Sequence, residues 1–348
     1  MGAERPNSTA FWKRALTLIA SFLVLSLGTI LPSTAGGGEP IALPNSAGQS
    51  PLARHVIIVS VDGLRPDALL QAETMNLKGL WKGGAYSWRA QTVFPSLTLP
   101  AHASMISGVT IEKHGVTWNN WDPAKGYISV PTVFSIAHQA GLTTAVVVGK
   151  LKILTLAPPS EVDFFDNPSS EATDVGRSAA SYFLTRQPTI LLIHFADPDS
   201  VGHRNGWLSP AQFQAIWNTD QALAPLLEAL HQTNLFDQTL IIVTTDHGGH
   251  GWGHGTDLPE DMTIPWIAFG APVKRGYRIQ AQVRTYDTAA TVLYALGLPI
   301  PASWEGRPVT EMFVSRPATR TDSGLFPSVG TTLRATSIST LASCGEKG

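Results

Sequence analysis

Cysteine is almost absent: Cys344 is the only one in 348 residues. No intramolecular disulfide can form, so stability has to come from a buried core. Charge is scarce too, with 14% of residues charged and a net of -2 at pH 7. That balance excludes the basic footprint of a protein that binds nucleic-acid polymers. Small anions stay open as substrates, provided something other than surface charge holds them. No internal repeat is present, and histidine is missing after His254. What the chain does have is apolar mass. At 43% hydrophobic it can bury a large core, enough for one big α/β domain or a domain with an inserted cap.

Lys13 and Arg14 precede the apolar run ALTLIASFLVLSLGTIL, and Pro32, Ser33, Thr34 and Ala35 follow it. This is the charged, apolar and small-residue order of an export signal. Residues 1–35 are therefore expected to be a signal peptide cut near Ala35, which makes the mature protein periplasmic or secreted. The run from Ala15 to Leu31 is about 17 residues, the lower edge of spanning length. An uncleaved anchor is the alternative, and the one way a membrane would become a partner. Residues 36–53, rich in Gly and Pro, read as a flexible linker. Residues 54–313 read as the catalytic domain, and the Ser-, Thr- and Pro-rich residues 314–348 as a disordered tail.

Within the domain, VIIVSV, ILLIHF and LIIVTT are strand-length, β-branched apolar runs, each followed at once by acidic residues and then Gly, Pro or His. They predict buried parallel strands with Asp62, Asp199, His203, Asp246 and His247 just beyond their carboxyl ends. In an open α/β sheet those ends share one crevice, so residues distant in sequence converge there. Aspartate oxygens with neutral imidazoles suit Zn²⁺ first and Mn²⁺ second, whereas Mg²⁺ and Ca²⁺ avoid His. Thr98 precedes Pro100 and a small-residue helical run, which places it at a helix start where backbone N–H groups and the helix dipole favour an anion. Taken singly, each residue has a bland role: Thr98 an N-cap, Asn119 a turn residue, His203 and His254 hydrogen-bonded loop histidines. PTVFSIAHQAG and the run opening at Ser209 and Pro210 predict helices, the second burying Phe213, Ile216, Trp217, Leu223, Leu226, Leu227 and Leu230. His102, His114 and His194 read as structural.

VSVDGLRPD, FPSLTLPAH with SMISG, HGVTWNN, DPDSVGH and TTDHGGHG, in that order, resemble the successive blocks of the type I phosphodiesterase and nucleotide pyrophosphatase family, within the alkaline phosphatase superfamily. The resemblance covers about His55 to Phe313. It implies an α/β, alkaline-phosphatase-like three-layer sandwich with a mostly parallel central sheet and room for small cap insertions; residues 151–188 are open as either a cap over the pocket or a surface excursion. It also implies two divalent metal ions. Asp199, His203 and a later histidine would hold one, and Asp62, Thr98, Asp246 and His247 the other. Thr98 matches the family's nucleophile, and Asn119 its donor to the transition-state oxygen. The substrate would be a small phosphate ester.

Two departures stand out. Larger members carry the last metal-binding histidine far downstream, where this chain has none; compact relatives point to His254, with His250 as the rival. Leu99 stands where an aromatic residue usually stacks on a nucleotide base. A phosphomonoesterase on the same site would need extra cations, for which Lys150 and Arg65 are the candidates. A sulfatase would need Cys or Ser in a CxPxR-like motif in place of Thr98. An inactive binding protein that kept the fold is the reading from another class.

Overall fold

The computed structural model describes residues 50–270 and 272–314. The expected signal peptide, nearly all of the linker and the tail beyond 314 lie outside the described residues. Eight strands form one sheet: β1 (His55–Val61), β2 (Ala85–Gln91), β3 (Thr144–Val148), β4 (Phe164–Asp166), β5 (Ile190–Phe195), β6 (Thr239–Thr244), β7 (Thr263–Gly270) and β8 (Tyr277–Arg278). Their order is β4-β3-β5-β1-β6-β7-β2-β8. The first five run parallel, β7 pairs antiparallel with both β6 and β2, and β8 lies parallel to β2.

Every residue of β1, β3, β5 and β6 is buried, which explains why these strands read as continuous apolar runs rather than alternating ones. Successive side chains serve opposite faces. Val56 and Ile58 join the helices Thr98–Ser107, Val133–Gln139 and Asp287–Ala295 in one core. Ile57, Val59 and Val61 join Pro66–Gln71, Asn76–Gly83, Ala172–Arg186 and Pro210–Gln232 in the other. The result is helix, sheet, helix. Each such aliphatic side chain, fully buried, contributes about 1.5–3 kcal/mol, the source of stability that a one-cysteine chain must rely on.

Ser209 caps Pro210–Gln232 by accepting from the Gln212 N–H at 3.2 Å. Trp217 departs from expectation. Its neighbours on the buried stripe are Ile216, Thr219, Asp220 and Leu223, and a residue one position past Ile216 turns about 100° away from that stripe, so Trp217 is 43% exposed. Residues 151–188 supply an edge strand and a helix rather than a free-standing excursion: β4 pairs with β3, and Ala172–Arg186 packs on Pro210–Gln232.

His114 is buried, with Nε2 at 2.9 Å from Ser104 Oγ and Nδ1 accepting from the Val116 N–H at 3.0 Å. Burial lowers its pKa from 6.5 to about 4. Between those values the unfolded chain binds a proton that the folded chain refuses, so acidification destabilises the fold by up to about 1.4 kcal/mol per pH unit. His114→Gln should flatten the fall in urea midpoint between pH 6.5 and 4.5. An unchanged slope would show that this imidazole is not a source of acid sensitivity.

Candidate metal centre

The carboxyl ends of four adjacent parallel strands, β3, β5, β1 and β6, meet at one rim. Asp62 directly follows β1, and Asp246 and His247 lie two and three residues past β6. Beyond β5, the helix Asp197–Asn205 carries Asp199 and His203 at i and i+4, which brings them onto one face. Gly63 lets the chain leave β1 sharply, with φ +73°, and a side chain there would meet the Asp199 backbone at 3.0 Å. The helix Thr98–Ser107 starts at Thr98 itself, with Leu97 as the flanking residue and no side-chain cap. The Thr98 hydroxyl is therefore not used as an N-cap.

Two ligand sets come together. Asp199 Oδ1 lies 3.3 Å from His203 Nε2 and 3.4 Å from His254 Nε2. His247 Nε2 lies 3.4 Å from Asp62 Oδ1, 3.2 Å from Asp246 Oδ2 and 3.5 Å from Thr98 Oγ1. A tetrahedral shell with bonds of about 2.0–2.1 Å has ligand-to-ligand edges of about 3.3–3.4 Å. The observed spacings of 3.2 to 3.5 Å fall close to those edges, so the two sets could each hold a cation. Asp62 Oδ1, Asp199 Oδ1 and Asp246 Oδ2 are buried with no hydrogen-bond partner. Such orphaned carboxylate oxygens are costly without a cation to meet them. His247 joins the sets, since it also lies with Asp199 and His254 as a further group able to hold an ion, and its ring stacks on His254 at 3.6 Å.

The far nitrogen of each imidazole is committed. His203 Nδ1 lies 2.9 Å from Trp252 O, His247 Nδ1 2.8 Å from Gly248 O and His254 Nδ1 2.8 Å from Ser96 O. A carbonyl can only accept, so each Nδ1 carries the proton and each Nε2 offers a lone pair. Burial and the neighbouring His247 push His254 below its usual pKa, which keeps that lone pair free at neutral pH. His250 belongs to neither ligand group among the described residues, and its Nδ1 meets Asp261 Oδ1 at 2.8 Å.

Asn119 Oδ1 accepts from the Leu99 N–H at 2.9 Å, which leaves its Nδ2 hydrogens as donors next to the first turn of that helix. Leu99 itself is fully buried in the core. The Arg65 guanidinium is tied to Asp67 at 2.7 and 2.9 Å and to Gly249 O at 3.0 Å, so it is spent on structure.

Three residues beyond the expected ligands belong to the site: His194 and His102, which read as structural, and Lys150, which reads as a candidate cation for a monoester. His194 Nε2 lies 2.9 Å from Asp62 Oδ2. His102 bridges Ser60 Oγ and Thr98 O, each at 2.8 Å, and stands 3.7 Å from Asp246 Oδ2. Lys150, two residues past β3, bonds Asp62 Oδ2 at 2.6 Å and also Asp199 Oδ2. Burial alone would raise the Asp62 pKa, yet Lys150 and His194 hold it well below the usual carboxylate range. The signal available was polarity out of place: a histidine inside ILLIHF, and a lysine directly after an apolar strand and a glycine. Trp207 completes the wall by donating Nε1–H to Gly63 O at 3.0 Å, and any side chain at Gly249 would collide with its indole at 2.1 Å.

A sequence model of the type I phosphodiesterase / nucleotide pyrophosphatase family matches residues 56–253, more than half of the chain. The chain belongs to this family. The matched stretch carries Asp62, Thr98, Asn119, Asp199, His203, Asp246 and His247, and stops one residue short of His254. Among relatives, human ectonucleotide pyrophosphatase/phosphodiesterase family member 5 is 25% identical over 228 residues, covering 60% of this chain and 47% of that protein. The catalytic subunit of human GPI ethanolamine phosphate transferase 2 is 28% identical over 312 residues, covering 79% and 31%. The chain thus spans half or less of the length of these two relatives. Among solved structures, an inactive threonine-to-alanine variant of murine ectonucleotide pyrophosphatase/phosphodiesterase 5 in complex with AMP superposes with a TM-score of 0.65 at 17% identity, over 75% of this chain and 100% of that one. A 2-O GAG sulfatase gives 0.61 at 15%, over 74% of each. At such identities these neighbours establish the fold, which is alkaline-phosphatase-like.

Proposed function

We propose that the protein is an exported two-metal hydrolase that cleaves phosphodiester or pyrophosphate bonds in small molecules, with Thr98 as nucleophile. The observation that carries this reading is the pair of ligand sets at tetrahedral spacing with the Thr98 hydroxyl inside one of them. Two divalent cations, zinc first and manganese second, would be held by Asp199, His203 and His254 and by Asp62, Thr98, Asp246 and His247, and would supply Lewis-acid charge and a lowered pKa for the coordinated hydroxyl.

Thr98 Oγ attacks phosphorus in line, the bond to the leaving oxygen breaks, and a phospho-threonyl or nucleotidyl-threonyl ester results. Water then displaces Thr98 from phosphorus and restores the hydroxyl. Asn119 Nδ2 and the Thr98 backbone N–H donate to the oxygen on which charge builds. His102 holds the Thr98 carbonyl, which fixes the first turn and so the direction of the hydroxyl. The murine neighbour in complex with AMP supports a small nucleotide-type ester as substrate. Because Leu99 is buried in the core, stacking by that residue on a base is not available, so other small phosphodiesters fit equally well. A net charge of -2 gives no footing for nucleic-acid polymers.

Lys150 favours a second reading, a phosphomonoesterase, because a monoester carries an extra charge for an ammonium to meet. The two readings separate on paired p-nitrophenyl esters, a phosphate monoester and a thymidine monophosphate diester. The expected result is a diester preference of at least about tenfold in kcat/KM, a difference of about 1.4 kcal/mol in the barrier, lost on chelation and restored by zinc. Monoester preference would select the phosphatase. Turnover indifferent to chelation would sink both.

A further inference from the structure

Asp62 and Asp199 each divide their oxygens between two kinds of partner. Asp62 Oδ1 faces His247 Nε2 and Asp199 Oδ1 faces His203 and His254 Nε2, whereas both Oδ2 atoms meet Lys150 Nζ. One ammonium therefore spans carboxylates from both ligand sets. The fold builds this contact deliberately close. Lys150 leaves β3 in extended backbone, and the Gly149 N–H bonds His194 O at 2.9 Å, which ties that strand end to β5. A side chain at Gly149 would meet Ala196 Cβ at 2.9 Å and push the two strand ends apart. Lys150 is 17% exposed at its side chain, yet its four-carbon stem leaves it free to move its head group by several rotamers.

We infer that Lys150 is an exchangeable cation: it neutralises Asp62 and Asp199 in the metal-free protein, is displaced when metals load, and then meets the non-bridging oxygens of the phosphoryl group beside Thr98. This rests on reading the two ligand sets as metal sites. Three buried carboxylates, Asp62, Asp199 and Asp246, need positive charge whether or not metal is present. Without metal, Lys150 is the cation in contact with two of them. With two divalent cations on the same carboxylates, the ammonium loses its attraction to them and gains repulsion from the metals, so the two modes of neutralisation compete. The nearest remaining anion is then the substrate.

The test is a zinc titration of metal-free wild type, Lys150→Met and Lys150→Arg against a chromophoric chelator, with melting temperatures taken before and after loading. Lys150→Met should melt lower without metal and bind zinc about tenfold more tightly, within the usual range for coupled sites, while Lys150→Arg returns toward wild-type affinity. Zinc-loaded Lys150→Met should bind inorganic phosphate about tenfold more weakly by calorimetry, a loss of the same coupled size. If Lys150→Met cannot be held folded without metal, the comparison is made on zinc-loaded proteins by the rate of zinc loss to EDTA, slower in the Met variant. Zinc affinity unchanged or weakened by Lys150→Met, or phosphate binding unaffected, overturns the inference. Wild type that takes up no zinc would instead overturn the metal reading beneath it.

Discussion

Thr98→Ala is expected to lower kcat on the thymidine monophosphate ester by at least about 10³-fold, as loss of a covalent nucleophile does, while leaving the domain folded. The second half of that expectation follows from the local structure. Leu97, not Thr98, flanks the helix Thr98–Ser107, and the Thr98 hydroxyl caps nothing. Alanine is the best helix former, and the carbonyl that accepts from His102 is backbone and survives the change. A stability change within about 1 kcal/mol is therefore expected, read from the melting temperature. Zinc content should also persist, because Asp62, Asp246 and His247 keep their places. Wild-type turnover in Thr98→Ala would remove the nucleophile from the proposal. Lost turnover with lost zinc would reassign Thr98 to metal binding alone. Thr98→Ser, which keeps an oxygen at the same reach, should recover part of the rate.

The parallel half of the fold was legible because burial on both faces leaves no choice of residue. VIIVSV, ILLIHF and LIIVTT read as strands for the same reason that they occupy adjacent central positions as β1, β5 and β6. The acidic residues just past them were readable as one site because parallel strands bring their carboxyl ends together. Trp217 was misplaced for a simple reason. Its hydrophobicity suggested the core, whereas the 100° step from Ile216 sets it on the outer side, where an amphipathic indole is tolerated.

What escaped the sequence was the layer behind the ligands. His194 lies within an apolar strand and was read as structural, since nothing in ILLIHF tells whether a buried imidazole bonds a carbonyl or a carboxylate. Only the register, with His194 beside Ser60 of β1 and Val148 of β3, brings it against Asp62. For Lys150 the sequence offers no carboxylate partner, because the pairing of β3 with β5 is a long-range fact. Once that pairing is made, Gly149 and Lys150 have nowhere to go but the rim that holds Asp62 and Asp199. Arg65 failed in the opposite sense: its companion two residues on, Asp67, is a local partner that takes the guanidinium out of contention.

The choice between His254 and His250 turns on a segment, GGHGWGHG, whose glycines give the sequence no preferred path. In the structure the loop folds back at His250, whose N–H and carbonyl exchange hydrogen bonds with Gly253, each at 2.9 Å, and this sends the two imidazoles to different partners. His254 meets Asp199 and stacks on His247, and His250 meets Asp261. His254→Ala should therefore lower the metal content of gel-filtered protein from two zinc to one per chain. It should also cost more than the 10- to 100-fold in activity that loss of a supporting partner costs. His250→Ala should keep both metals. It removes one of three hydrogen bonds to the buried Asp261 carboxylate, whose Oδ2 still accepts from the Thr256 N–H and hydroxyl at 2.9 and 2.8 Å. Its expected cost is about 1–3 kcal/mol of stability, seen as a lower melting temperature, with activity within about tenfold of wild type. The reverse pattern, one zinc lost with His250 and none with His254, would hand the last ligand position to His250. It would also require the loop to refold around the metal, because His250 belongs to neither ligand group among the described residues.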